Sequence, residues 1–168
     1  MIKNNLNLRW GSQTRPDKWL TPALLQKMHQ AGFNYLMFGV ESGSQRILDK
    51  MKKNYNIKEV KRVIRDTKNA GIDITVSLML DSPGEALSDF IKTISFVLKT
   101  RKYVSVFSVN KSNITPRSDW NKNPSKYNII IDYPLRWHSK YFLNNYIIAG
   151  FKKFTLDIIL KVINRGIK

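Results

Sequence analysis

The chain has 168 residues, an ordinary apolar fraction and no cysteine, and its 29 basic against 12 acidic side chains give a formal net charge of +17. That length supports one domain with a real core, and the composition excludes wholesale disorder, disulfides, thiolate zinc sites and a cluster held by the chain's own thiolates. The charge would attract nucleic acid, anionic lipid or phosphorylated ligands, but Lys, Asn and Ile are abundant throughout, which is the mark of a compositional bias as much as of a basic patch.

No apolar run reaches the roughly 18–20 residues of a membrane span. The leading "MIKNNLNLRW" lacks the apolar stretch of a signal peptide. A soluble, cytoplasmic protein is the expectation. His29 and His138 lie far apart and read as ordinary helix or loop residues rather than metal ligands.

In chain order, "NLNLRW" (5–10) is predicted as a first strand. Thr21 followed by Pro22 is a helix N-cap and first-turn pair. The segments "LLQKMHQAGFNYLMFGV" (24–40) and "VIRDTKNAGIDITVSLML" (63–80) both read as amphipathic helix, Ala-Gly, apolar strand. In each, the glycine (Gly32, Gly71) occupies the position after a helix where a left-handed backbone is needed. The apolar runs are nearly continuous, which predicts parallel strands covered on both faces. Units recurring after about 39 residues predict a parallel α/β sheet or barrel. "SPGEALSDFIKTISFVLKT" supplies a Pro83-Gly84 turn and a helix to about residue 101, and "YVSVFSV" (103–109) the next strand. The order β-α-β-α-β-α-β requires right-handed crossovers.

Beyond residue 110 the texture changes. "NKSNITPRSDWNKNPSK" is predicted as loop, "IIIDYPLRWHS" as short and irregular, and "KYFLNNYIIAGFKKFTLDIILKVINRG" as one or two apolar, basic helices. Such helices pack on the α/β core or a partner, or lie on a membrane surface. The chain is therefore divided into an α/β part, 1–110, and a loop and helical region, 111–168.

Parallel α/β folds bind ligands beyond the C-terminal ends of their strands. The candidates are then Gln13, Thr14, Arg15 and Asp17 after the first strand, Glu41 and Ser42 after the second, Ser77 and Asp81 in and after the third, and Asn110 and Lys111 after the fourth. Glu41 could instead serve the dipole of the helix over 44–52, but Ser42 or Ser44 would cap that helix, which leaves the acid for a ligand. "SGS" and "PGE" lack the spacing of phosphate loops. Residue types alone stop at a ligand-binding parallel α/β unit.

The string W-x4-R-x-D…LT-x-x-LL-x-x-M-x-x-AGF-x-x-L-x-FGVESGSQRILDKMKK…LML-x-x-PGE-x-x-x-D, over residues 8–108, resembles the second half of the radical S-adenosylmethionine (SAM) core, and most of all its cobalamin-binding type. The resemblance implies an incomplete parallel (β/α) barrel of about four βα units out of six, followed by C-terminal helices. It implies SAM as cofactor, and in the intact protein a [4Fe-4S] cluster on a CxxxCxxC loop, with cobalamin in that type. In the family the reduced cluster cleaves SAM to a 5′-deoxyadenosyl radical, and the protein binds, orients and excludes water. By this likeness Glu41 contacts the methionine or ribose part of SAM, Lys53 its carboxylate and Ser77 its ribose hydroxyls. Arg15 lines the site, and the turn Asp81-Ser82-Pro83-Gly84 passes near adenine. Two residues depart from the pattern. Asp81 replaces a glycine, so a left-handed turn there would be strained or remodelled. Ala86 replaces a threonine, which removes a helix cap.

The expectation is a fragment or split-gene half of a radical SAM enzyme, inactive alone for want of the cysteine loop, and partnered by an N-terminal half that carries it. The other reading is a basic, non-enzymatic α/β module on RNA or an anionic membrane surface.

Overall fold

The computed structural model describes residues 8–132, 136–139 and 142–165, with side chains over 8–131 and 151–162. Strands β1 (Trp10–Thr14), β2 (Phe33–Glu41), β3 (Asp73–Leu80) and β4 (Val106–Lys111) form one parallel sheet in the order β1-β2-β3-β4. Helices α1 (Pro22–Gln30), α3 (Ile57–Asn69) and α4 (Leu87–Thr100) make the crossovers, with a short α2 (Gln45–Lys50) ahead of α3. Sequential strand order with crossovers of one hand stacks every helix on the same face. That is the winding of a barrel, not of a doubly wound sheet, whose order reverses at a switch point.

Local signals place the first helix as read. Thr21 Oγ1 accepts from Leu24 N at 3.3 Å with Pro22 in the first turn. Gly32 (φ +83°) and Gly71 (φ +86°) end α1 and α3 in the left-handed region. The helix-side strand residues Leu36, Phe38, Val40, Ile74, Val76 and Leu78 pack against Leu25, Val63, Ile64, Phe96 and Val97 in one buried core.

Three expectations change. The first strand is Trp10–Thr14, later than 5–10, while residues 5–7 lie outside the described part. Its glycine is demanded by packing: a Cβ on Gly11 would sit 2.6 Å from the Tyr35 carbonyl oxygen and 2.8 Å from its Cβ. The fourth strand likewise starts at Val106 rather than Tyr103. And the sheet is not covered on both faces among the described residues. On the side opposite the helices Tyr35 is 41% and Val106 50% exposed, Met37, Ser77 and Met79 are partly exposed, and Thr75 is buried. The near-continuous apolar runs therefore serve a helix-packed face and a second, more open, concave face.

After β4, α5 (Asp119–Lys122) and a 3-10 turn (Pro124–Tyr127) lead into β5 (Ile129–Asp132) and β6 (Arg136–Ser139). These two pair antiparallel, so the stretch expected to be irregular is a two-stranded ribbon. The tail is one helix, α6 (Phe142–Arg165), and its Leu156 and Leu160 join the core cluster. No helix among the described residues is long and apolar enough to cross a membrane.

Candidate functional site

The C-terminal end of β2 carries the main irregularity of the sheet. Its register with β3 runs Gly39 to Ser77 and then Glu41 to Leu78, so one residue is extra between them. Glu41 itself stands at φ +71°, a conformation that costs an L-residue with a long side chain on the order of 1 kcal/mol or more. The turn folds its carboxylate back over Gly39: Oε1 lies 3.1 Å from where a Cβ on that glycine would be.

Lys53 reaches the same place from the loop after α2. Lys52 (φ +55°) and Asn54 (φ +56°) flank it in the left-handed region, which turns the loop back toward the strand end. Lys53 Nζ donates to Glu41 Oε1 at 3.3 Å, with the two side chains 29% and 15% exposed. Arg15, just after β1, donates through Nη2 to the Lys53 carbonyl, and its guanidinium lies 5.5 Å from the Tyr55 ring centroid. The Tyr55 hydroxyl donates between the carbonyls of Gly39 (2.9 Å) and Val40 (3.0 Å). Burial pushes this phenol well above its usual range, Glu41 adds to the effect and Arg15 opposes it. Tyr55 thus remains a neutral donor that holds the bulged end of β2.

Glu41, Lys53 and Arg15 therefore meet in one cluster, organised by Tyr55. Ser77 lies beside Gly39 and Ser108 in the same register row of the concave face. Its hydroxyl has no hydrogen-bond partner among the described residues. The sequence reading missed Tyr55, because its role depends on the two left-handed residues before it.

Asp81, Pro83 and Gly84 form a second wall after β3. Of the two outcomes expected here the turn is strained rather than remodelled: Asp81 itself adopts φ +58°, a cost that short acidic and amide residues bear best. Ser82-Pro83-Gly84-Glu85 follows as a tight turn, closed by Glu85 N to Ser82 O at 2.8 Å with Gly84 at φ +77°. Pro ahead of a left-handed Gly is the type II pattern. The cap missing at Ala86 is made up in part by Asp89, whose Oδ2 accepts from Ala86 N at 2.9 Å.

Asp89 also ties this wall to the first. Ser44 Oγ donates to its Oδ1 at 2.6 Å, Arg46 Nε to the same oxygen at 3.2 Å, and Arg46 Nη2 both to Oδ2 and to the Gly84 carbonyl. Burial alone would raise the Asp89 carboxyl, but the bonds from Arg46, Ser44 and Ala86 N–H together hold it well below the usual carboxylate range. Ser42 and Ser44 are fully buried. Ser44 stands at the helix start without capping it, so the expected serine cap on α2 is replaced by a link to α4. Gly43 permits the approach: a Cβ there would lie 2.6 Å from Thr93 Cα.

A buried lysine closes the second wall from α6. Lys152 Nζ lies 3.1 Å from Glu85 Oε2 and 3.5 Å from Asp81 Oδ1, and Glu85 Oε2 also accepts from Asp81 N at 2.9 Å. Glu85 Oε1 and Ser82 Oγ are buried without a hydrogen-bond partner among the described residues. Burial raises the Glu85 carboxyl above its usual value, against the pull of Lys152.

The donor set separates two cofactor classes. A partly exposed ion pair, a free hydroxyl and a glycine-floored concave surface suit a zwitterionic, ribose-bearing ligand. A cluster is not suited: the chain has no cysteine, and no group of three His, Cys, Asp or Glu among the described residues is placed to hold a metal.

The family model described as "Radical SAM superfamily" matches residues 10–97, just over half the chain. The tRNA-2-methylthio-N(6)-dimethylallyladenosine synthases of two Buchnera aphidicola strains are similar to it. That of the Cinara cedri subspecies is 37% identical over 68 residues, 39% of this chain and 16% of the relative. That of the Schizaphis graminum subspecies is 32% identical over 93 residues, 54% of this chain and 21% of the relative. The chain thus spans about a fifth or less of their lengths. Among solved structures, the Elp3 of Methanocaldococcus infernus with an N-terminal deletion superposes at a TM-score of 0.61 and 16% identity, covering 71% of this chain and 28% of that one. The last likeness shows the fold.

Proposed function

Because the chain belongs to the radical SAM superfamily, we propose that it supplies the SAM-binding wall of a radical SAM site. The observation that carries this reading is the Glu41–Lys53 pair at the strained end of β2, 3.3 Å apart and partly exposed. SAM presents an ammonium and a carboxylate on one carbon. An ion pair already in place offers the opposite charge to each: Glu41 to the ammonium or ribose, Lys53 to the carboxylate. A partly exposed pair of this kind holds itself by no more than about 1 kcal/mol, so opening it for the ligand costs little. Ser77 would take a ribose hydroxyl, Arg15 would brace the Lys53 loop, and the Asp81–Gly84 turn would border the adenine.

When bound beside a reduced cluster, SAM supplies the 5′-deoxyadenosyl radical that opens the family's reactions. This chain's own residues bind, orient and shield that cofactor. With no cysteine here, the cluster loop is proposed to come from a CxxxCxxC-bearing partner segment, and the chain by itself to be inactive. A cytoplasmic setting follows from the same reading. The cobalamin-binding type is the subclass proposed from the "FGVESGS" string, and copurification of a corrin chromophore with the assembled protein would decide for it.

A second reading of the substrate is supported by the relatives, whose names specify a tRNA adenosine, and by the net charge of +17. On that reading the substrate is a nucleic acid rather than a free metabolite.

The test is SAM affinity by calorimetry on the protein assembled with its cysteine-bearing segment. Glu41→Gln replaces a charge-assisted bond by a neutral one and should weaken binding about tenfold or more, with an unchanged melting curve. Undiminished affinity would take Glu41 out of the site.

A further inference from the structure

On the outer surface, away from the concave face, α3 and the end of α4 form an open groove of about 340 Å³ lined by Lys58, Lys61, Arg62, Arg65 and Lys99, with Thr100 and Tyr103. Five of these seven side chains are cationic. The nearby acids are already committed to the arginines: Arg62 binds Glu59 at 2.6 Å and Asp66 at 2.8 Å, and Arg65 lies 3.4 Å from Asp66. Lys58, Lys61 and Lys99 have no acidic partner among the described residues. Burial, and then the charge of Lys99, lower the Lys61 ammonium from its usual value. Two like charges are thus held together by the fold with no acid between them, an arrangement that an anion entering the groove would relieve.

We propose that this groove is a docking surface for the sugar–phosphate backbone of RNA. Lys58, Lys61 and Arg65 sit three and then four residues apart on α3, so they share one face and span about 10 Å along the helix. That length is enough for the row to follow several consecutive phosphates of one strand. Lys99 faces this row from α4, and the Tyr103 ring, with Lys102 Nζ at 4.9 Å from its centroid, gives the groove one flat aromatic edge. A bilayer is the poorer match, because the groove is concave and its lining carries no aliphatic side chain to insert. The proposal deepens the nucleic-acid reading above and rests on it for the class of partner; it does not depend on the SAM site.

The probe is a fluorescein-labelled RNA hairpin, titrated with the full chain at several salt concentrations without SAM. Lys61→Glu with Lys99→Glu should weaken binding about tenfold and make the dependence of log affinity on log salt shallower by about two. The control Lys27→Glu with Lys122→Glu changes the net charge equally on other surfaces and should cost less than about threefold. Equal losses in the two double variants would make the binding a diffuse effect of net charge and overturn the groove, leaving the nucleic-acid reading standing. No binding of the hairpin by the wild-type chain would overturn both. Binding to vesicles of three parts phosphatidylglycerol to seven of phosphatidylcholine, with none to RNA, would reassign the surface to membrane. If the double variant fails to fold, Lys61→Gln and Lys99→Gln singly should each reduce the salt slope by about one, and unchanged slopes would sink the proposal.

Discussion

Lys152→Met removes the cation that pairs with Glu85 among the described residues without changing side-chain volume much, and its effect on stability can be worked out in advance. Glu85 is 1% exposed at its side chain and Lys152 5%. Taking one partner from a buried pair costs about 3–5 kcal/mol when the other charge must stay buried. Here the chain has an escape, because Glu85 can take a proton. Relative to an unfolded chain with an ordinary glutamate near 4.3, that protonation costs about 3.7 kcal/mol at pH 7, which caps the Glu85 part of the loss. The sign of the pH dependence follows. Burial already raises the Glu85 carboxyl in the folded wild type, and losing Lys152 raises it further, so the native state binds more protons than the unfolded one. Stability is then fullest below the usual glutamate value and falls as pH rises. The variant should lose roughly 2–4 kcal/mol at pH 7 and up to about 1.4 kcal/mol less for each pH unit below that. Urea unfolding of both proteins between pH 5 and 8 measures this, and adding Glu85→Gln to the variant should recover most of the loss. A deficit that is the same at pH 5 and pH 8, or that Glu85→Gln does not repair, would refute the reasoning.

Three further outcomes are expected. Gly43→Ala drives a methyl to 2.6 Å from Thr93 Cα and 2.8 Å from the Lys92 carbonyl, so α2 and α4 must separate; a loss of about 1–3 kcal/mol in thermal or urea melts is predicted. Tyr55→Phe leaves the carbonyls of Gly39 and Val40 without their shared donor and should cost about 1–2 kcal/mol, together with a rise in amide exchange at the end of β2. Asp89 is held below its usual value, so its contribution is present above the ordinary aspartate range and lost as pH falls through the depressed folded value. In acid titrations Asp89→Asn should be less stable than wild type at pH 6 and approach it toward pH 2.

Much of this was legible because it is local. The helix–Ala-Gly–strand pattern set Gly32 and Gly71 in the left-handed region, and the strand ends gathered Arg15, Glu41 and Ser77 on one side of the sheet. Two kinds of feature were not legible. Strand boundaries depend on the neighbour: the sequence pattern predicts a first strand that ends at Trp10, and only the Tyr35 carbonyl 2.6 Å from a Cβ on Gly11 shows why a glycine continues it. Long-range polar pairing has no periodicity, so neither the Asp89 hub, 43 residues from Arg46, nor Lys152, 67 residues from Glu85, announces itself.

The two left-handed acids at strand ends separate folding needs from ligand needs. Asp81 replaces glycine at φ +58°, but a short acid tolerates that conformation, and its carboxylate has Lys152 at 3.5 Å to offset the strain. Glu41 has less of a structural excuse. Its side chain is long, φ is +71°, and its one ion-pair partner among the described residues is Lys53, through a single contact of 3.3 Å with the two side chains 15% and 29% exposed, a lone, partly solvated pair that offsets only part of the strain. A chain selected for folding alone would place Gly or Asn there. Strained backbone that the local contacts do not repay is the usual signature of a position kept for a ligand, and this is the physical ground on which the role proposed for Glu41 stands.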